Sequence, residues 1–218
     1  MYYTINGLVL NSKIYGEYDK LITVYSYQWG KIQAVAPSAK KIAAKLLSAT
    51  EILTESEFHV FSSRLSIRPK ITGANIVNNN TIIKNNFMRN LCALYVAEVS
   101  DKFVPFNLEN TKKYDLIVRV WGILSTCKYP KRVLVSFILR FLKLSGYSFS
   151  EYIKNNNTFI DERVAMSIKK LSNCSGNDVD LIDGVEDEKV WNYVEYYIAN
   201  YIRLPAISVF LQKMNVKP

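Results

Sequence analysis

The residues of this chain that could do covalent chemistry are few, and each lacks the partners its chemistry needs. Ser38 and Lys41, in Ser38-Ala39-Lys40-Lys41, satisfy the spacing Ser-x-x-Lys, in which a lysine activates a serine nucleophile, but no Lys-Thr-Gly follows. The stretch reads as a basic turn. Asp178, Asp180 and Asp183 imitate a calcium loop, yet Ile182 stands at the fifth ligand position and Lys189 at the twelfth, where a bidentate glutamate is required. The segment NCSGNDVDLIDG therefore reads as a solvated acidic loop. His59 is the only histidine and lies between Phe58 and Val60, so a structural or surface role is expected. Cys92, Cys127 and Cys174 are widely separated and form no Cys-x-x-Cys pair. That excludes a disulfide framework and a conventional zinc site, and it leaves buried thiols. With no phosphate loop, GxGxxG, HExxH or GxSxG, we expect no enzyme, no catalytic residue, no metal and no cofactor.

What remains is charge. The chain has 28 Lys plus Arg against 19 Asp plus Glu, a net charge of +9, which favours polyanions: nucleic acid first, an acidic protein tail or anionic membrane second. The first third carries Lys31, Lys40, Lys41 and Lys45 with no acid between Lys31 and Thr50, then Arg64, Arg68 and Lys70. Lysine and arginine neutralise phosphates, and exposed aromatic rings stack on unpaired bases. Tyr25, Tyr27 and Trp29 lead into the basic turn, where alternation fits a half-buried strand as well as a stacking surface. A second basic set comprises Lys112, Lys113, Lys128, Lys131, Arg132, Arg140 and Lys143. Arg140 and Lys143 share a helix with Phe137, Leu139 and Phe141, and such a groove would suit an acidic peptide ending in a hydrophobic residue.

Two kinds of element must position these groups. Up to about Asn78 the segments INGLVLNSKIY, DKLITVYSYQ, KIQAVAP, TEILTESEFHVFSS and LSIRPKITGANIV read as five short strands, enough for a closed or nearly closed barrel. Between the third and fourth, Pro37 stops the strand, and Ala39 to Leu47 reads as a helical turn or a basic loop. An oligonucleotide-binding (OB) barrel commonly carries a helix there. After NNNT the period becomes helical: Phe87, Leu91, Leu94, Tyr95 and Val99, then Tyr114, Ile117, Val118, Trp121 and Leu124. KRVLVSFILRFLKLSGY reads as a central bundle helix ended by Gly146, followed by DERVAMSIKKLS, DEKVWNYVEYYIANYIR and a short closing AISVFLQKM. The expected class is α+β with two domains: a five-stranded OB barrel over 1–79 and an all-α bundle over 80–218. The start MYYTINGLVL lacks the charged region of a signal peptide, and VLVSFILRFLKLSGY is too short and too charged to span a bilayer, so a cytoplasmic protein is expected.

The order of residues from Gly7 to Lys41 resembles the opening of the recombination-repair family RecO. The shared pattern comprises Gly7, Val9, Leu10, Tyr15, Gly16, Glu17, Asp19, Lys20 and Thr23, then Gly30, Lys31, Ala34, Val35, Ala36, Ala39 and Lys41. Later segments resemble the family more loosely, in the fourth and fifth strands, in NLCALYVAEVSDKFVP and in RFLKLSGY. The resemblance implies binding to single- and double-stranded DNA, annealing of complementary strands, and cooperation with RecR and the single-strand binding protein to load RecA, within a bacterial nucleoid. Two departures stand out. The cysteines that many members carry after the Gly-Tyr turn are absent from GYSFSEYIKNNNTFIDE, so no zinc is expected, and APSAKK replaces the usual KGARK.

On that resemblance the DNA-contact candidates are Lys31, Lys40, Lys41 and Lys45, then Arg68 and Lys70, while Glu17, Asp19 and Lys20 are expected to be structural or partner-facing. Lys131, Arg132, Arg140 and Lys143 are candidates for the acidic tail of the single-strand binding protein. Two other readings share the same charge: an RNA-binding OB protein, and a protein-interaction adaptor whose lysines only solubilise it.

Overall fold

The computed structural model describes residues 1–40, 46–63, 68–155, 159–174, 176–185 and 187–201. Contacts group them into two units, Met1–Thr81 with Ala97–Tyr114, and 82–96 with the described residues from 115 on.

The first unit is built on strands β1 (Tyr2–Tyr15), β2 (Asp19–Ser26), β3 (Gly30–Ala36), β4 (Glu55–Phe61) and β5 (Lys70–Asn78). They close in the order β1-β2-β3-β5-β4, the five-stranded barrel of an OB fold. A register shift between Val9 and Asn11 lets the long β1 pair with β4 through its first half and with β2 through its second. Ile5, Val9, Ile22, Val24, Ile32, Ala34, Ala36, Phe58, Val60 and Ile71 fill the interior. Alternation fixes which side chains turn outward.

The fourth strand starts later than the sequence pattern suggests, at Glu55, because Leu53 takes φ +70 and the chain from Thr50 turns before pairing. A 3-10 turn at Ser48–Thr50 lies between β3 and β4. The expected helical turn or basic loop from Ala39 falls mostly at 41–45, outside the described residues.

The outward row Leu8, Tyr25 and Lys31 is not solvent-facing, because residues 97–114 lie over it. Tyr25 Oη donates to the Asn110 carbonyl at 2.9 Å, and burial pushes its phenol up to about 12. The backbone of Lys31 bridges to Phe106, and Gly30 at φ +67 leaves no room for a Cβ beneath the Leu108 carbonyl.

The second unit holds α3 from Asp115 onward and the later helices. The helices in chain order are α1 (Thr81–Lys84), α2 (Phe87–Phe103), α3 (Thr111–Leu124), α4 (Pro130–Leu144), α5 (Phe149–Asn155), α6 (Glu162–Asn173) and α7 (Asp187–Ala199). Helix α4 is the core helix, with Val133 through Leu139, Phe141 and Leu142 buried, and Gly146 at φ +87 ends it. The expected solvated acidic loop anchors the chain entering this helix, since the Asp180 carboxylate accepts the N–H groups of Lys128 and Tyr129 at 2.7 and 3.0 Å, just before α4 begins. Helix α5 escaped the periodicity reading because seven residues are too short to display a stripe. Residues 202–218, including the expected closing helix, lie outside the described set. Among the described residues no single helix is long and apolar enough to cross a membrane, and no group of three or more His, Cys, Asp or Glu could hold a metal ion.

Candidate nucleic-acid interface

One end of the barrel gathers cations from three separate segments. The β1–β2 hairpin turns at Gly16–Tyr18, and the chain leaving β3 is clipped against it. Ser38 N–H donates to Asp19 Oδ1 at 2.8 Å, and Lys40 N–H donates to the Tyr18 carbonyl at 3.0 Å. Ser38 has φ +55, a backbone region that costs an L-residue about 1–2 kcal/mol, which explains why glycine is usual at this place in the resembling pattern. Asp19 thus has a structural hydrogen bond, one of the two roles expected for it. Its hydrogen bond helps hold the strained turn.

Lys40 is exposed, with its ammonium donating to the Glu17 carbonyl at 2.8 Å. Arg68, also exposed, stands 5.9 Å from the centroid of the Tyr15 ring, so it borders the same hairpin. Lys70 enters through register: Lys13, Leu21, Val35, Lys70, Phe61 and Tyr2 form one continuous outward row around the barrel. Lys40 and Arg68 therefore border one hairpin, and Lys70 and Lys13 lie on the outward row that passes it, three strands apart. Lys41, Lys45 and Arg64 lie outside the described residues.

Lys31 does not belong to this group. It is 4% exposed, its ammonium lies 3.6 Å from the Asp101 carboxylate and donates to the Asp101 carbonyl, and it covers the Phe106 ring at 4.3 Å. Burial lowers its pKa, and the nearby Asp101 carboxylate opposes that shift. Such a lysine has no free donor to give a phosphate. Contrary to the expectation for a DNA contact, Lys31 turns its ammonium inward, because the row it faces is covered by residues far away in sequence.

The aromatic residues divide in the same way. Tyr25 is buried, Tyr27 packs edge-on to Tyr114 at 5.3 Å, and Trp29 packs edge-on to Tyr3 at 5.0 Å. The exposed rings beside the cations are Tyr15 and Tyr18, which sequence reading passed over. Their signal was position: both flank the tight turn whose neighbours carry the charge.

The second basic set splits along α4. Arg132 is held by the Asp187 carboxylate at 2.7 and 2.8 Å and by the Ile182 carbonyl, and it lies over the Tyr129 ring at 4.2 Å. Lys131 is half-buried, and burial lowers its pKa, against the raising influence of Cys92, Glu188, Asp187 and Glu195. Both face α7 and its preceding segment. About two helical turns away, roughly 12 Å, Arg140 and Lys143 line a different surface.

That surface is a groove of about 360 Å³ between α4, α5 and α6. Leu139, Phe149, Ile153, Ala165 and Ile168 supply its apolar lining. Arg140 donates to the carbonyls of Ser172 and Cys174 at the end of α6, which fixes its guanidinium at the rim. Lys143 and Lys169 are the exposed cations. Lys169 was missed, though Ala165, Ile168, Lys169 and Ser172 share a helical face and could have been grouped by spacing.

Comparison with known proteins points one way. Residues 1–79 match the family described as "Recombination protein O N terminal". The chain is 29% identical to the DNA repair protein RecO of Mycoplasma mycoides over 148 residues, 66% of this chain and 58% of that protein. It is 26% identical to RecO of Acetivibrio thermocellus over 183 residues, 81% of this chain and 72% of the relative. For RecO of Mesoplasma florum the identity is 35% over 115 residues, 52% of this chain and 43% of the relative. The aligned part thus spans between 43% and 72% of these relatives' own lengths.

Proposed function

Because the amino-terminal domain of this chain belongs to the RecO family, we propose that the protein is a non-catalytic mediator of DNA repair and recombination that binds DNA through the basic end of its barrel. What supports this most is the convergence of exposed Lys40, Arg68 and Lys70, from segments distant in sequence, beside the exposed rings of Tyr15 and Tyr18. In this reading the cations hold single and double strands by their phosphates, and neutralising two single strands at once lets complementary bases pair. Such annealing requires only charge and release of the paired product. RecR would help the protein place RecA on DNA covered by the single-strand binding protein, in the cytoplasm of a bacterium at its nucleoid. The two-domain organisation, 1–79 and 80–218, belongs to the same proposal.

The test is fluorescence anisotropy of a labelled single-stranded DNA, repeated from low to high salt, with an RNA of the same sequence alongside. Affinity should fall along a straight line in log salt, with DNA bound at least as tightly as RNA. A strong preference for RNA would favour an RNA-binding protein, and no binding at low salt would leave the adaptor reading.

The groove between α4, α5 and α6 is the proposed seat of the acidic tail of the single-strand binding protein, with Arg140, Lys143 and Lys169 on the carboxylates and the apolar floor under the terminal residue. Lys131 and Arg132 are left out, since their charges face acids of the α7 region. Lys143→Glu/Lys169→Glu should weaken binding of a labelled acidic peptide with a hydrophobic carboxy-terminal residue by about tenfold or more. Unchanged peptide affinity would remove the groove from the mechanism.

A further inference from the structure

The OB surface formed by β2 and β3, which with neighbouring loops often receives nucleic acid, is partly covered here by residues 97–114. That cover takes Tyr25 and Lys31 away from a single strand held at the basic end. The outward row containing Lys70 continues directly onto Phe61 and Tyr2, across the opposite side of the barrel. Tyr2 is 76% exposed, and its ring is tilted 55° from that of Phe61 at 5.1 Å, so a face of Tyr2 stays in solvent.

The next outward row holds Thr4 and His59. Thr4 Oγ1 lies 3.2 Å from His59 Nδ1, and the histidine ring rests against Gly73, where a Cβ would come within 3.1 Å of His59 Cδ2. Among the described residues His59 Nε2 has no hydrogen-bond partner, which leaves it for the edge of a base. Phe61 and His59 are two residues apart, about 6.6 Å along the strand, a spacing that suits bases splayed from an extended single strand. One row further, the Glu57 carboxylate accepts from Asn75 at 3.2 Å and would repel a phosphate. The surface therefore has length for about two bases.

We propose that the outer face of β1, β4 and β5, formed by Tyr2, Phe61 and His59 beside Lys70, is a stacking platform for unpaired bases. The inference rests on DNA binding at the basic end and adds what charge alone cannot supply, discrimination of single strands from duplex. Paired bases present no free faces to Tyr2 or Phe61. The phosphates of either form still meet Lys40, Arg68 and Lys70.

The experiment compares a single-stranded oligonucleotide with a duplex of equal length at one low salt concentration, using the wild type, Tyr2→Ala/Phe61→Leu, Tyr2→Ala alone and Tyr2→Trp. The double variant should lose about tenfold in single-strand affinity and stay within twofold for duplex, whereas Tyr2→Trp, which keeps a ring, should bind like the wild type. Should the double variant fail to fold by circular dichroism, the fully folded Tyr2→Ala at its exposed position must still show about threefold selective loss. Equal loss for both forms, or no loss for single strands, overturns the platform. Absence of salt-sensitive binding by the wild type would instead overturn the parent reading.

Discussion

Lys40→Glu/Arg68→Glu/Lys70→Glu should bind single-stranded DNA about 100-fold more weakly than the wild type at roughly 0.1 M salt. Each phosphate neutralised on a single strand contributes a slope of about −0.7 in log affinity against log salt. Three lost contacts therefore flatten the slope by about 2 and, at 0.1 M, remove about two decades of affinity, before any repulsion from the new carboxylates is counted. The three side chains are exposed, so unfolding stability should move by no more than about 0.5 kcal/mol per substitution. Anisotropy titrations at several salt concentrations measure both slope and affinity. An unchanged slope would show that phosphates do not meet this end of the barrel, and the adaptor reading would then lead.

Lys31→Met should behave in the opposite way, destabilising the fold while leaving DNA affinity within about twofold under folding conditions. The substitution strands the Asp101 carboxylate, whose side chain is only 23% exposed, and empties the Asp101 carbonyl of its donor. Breaking such a buried pair costs about 3–5 kcal/mol, and the partial exposure of Asp101 places the loss near 3 kcal/mol. The double variant Lys31→Met/Asp101→Leu should recover about half of it, the remainder reflecting Asn11, whose side chain donates to the same carboxylate at 3.1 Å. Urea denaturation reads all three proteins. A stable Lys31→Met that loses DNA affinity would restore Lys31 as a phosphate contact.

The contrast between these two lysine sets marks how far the sequence reaches. Lys31 and Lys40 look alike in one dimension: both are cations at a strand end in a stretch without acids. Lys40 is clipped to the hairpin around Glu17 and Tyr18 by hydrogen bonds that leave it at the surface. Lys31 is covered by a partner 70 positions away, and no local pattern announces that.

Five strands, the later helices and the barrel's likeness to a family were legible because period and turn residues are local properties of the chain. The order β1-β2-β3-β5-β4 is a consequence of closure, and with it came the outward row that joins Lys70 to Phe61 and Tyr2. Likewise Arg132 and Arg140 are the same residue type on one helix, yet one pairs with Asp187 and the other borders a groove. Charge, composition and period were determined by the sequence by itself. Which cations face solvent, and which rings stand beside them, was decided only by tertiary packing, because burial depends on residues brought together across long stretches of chain.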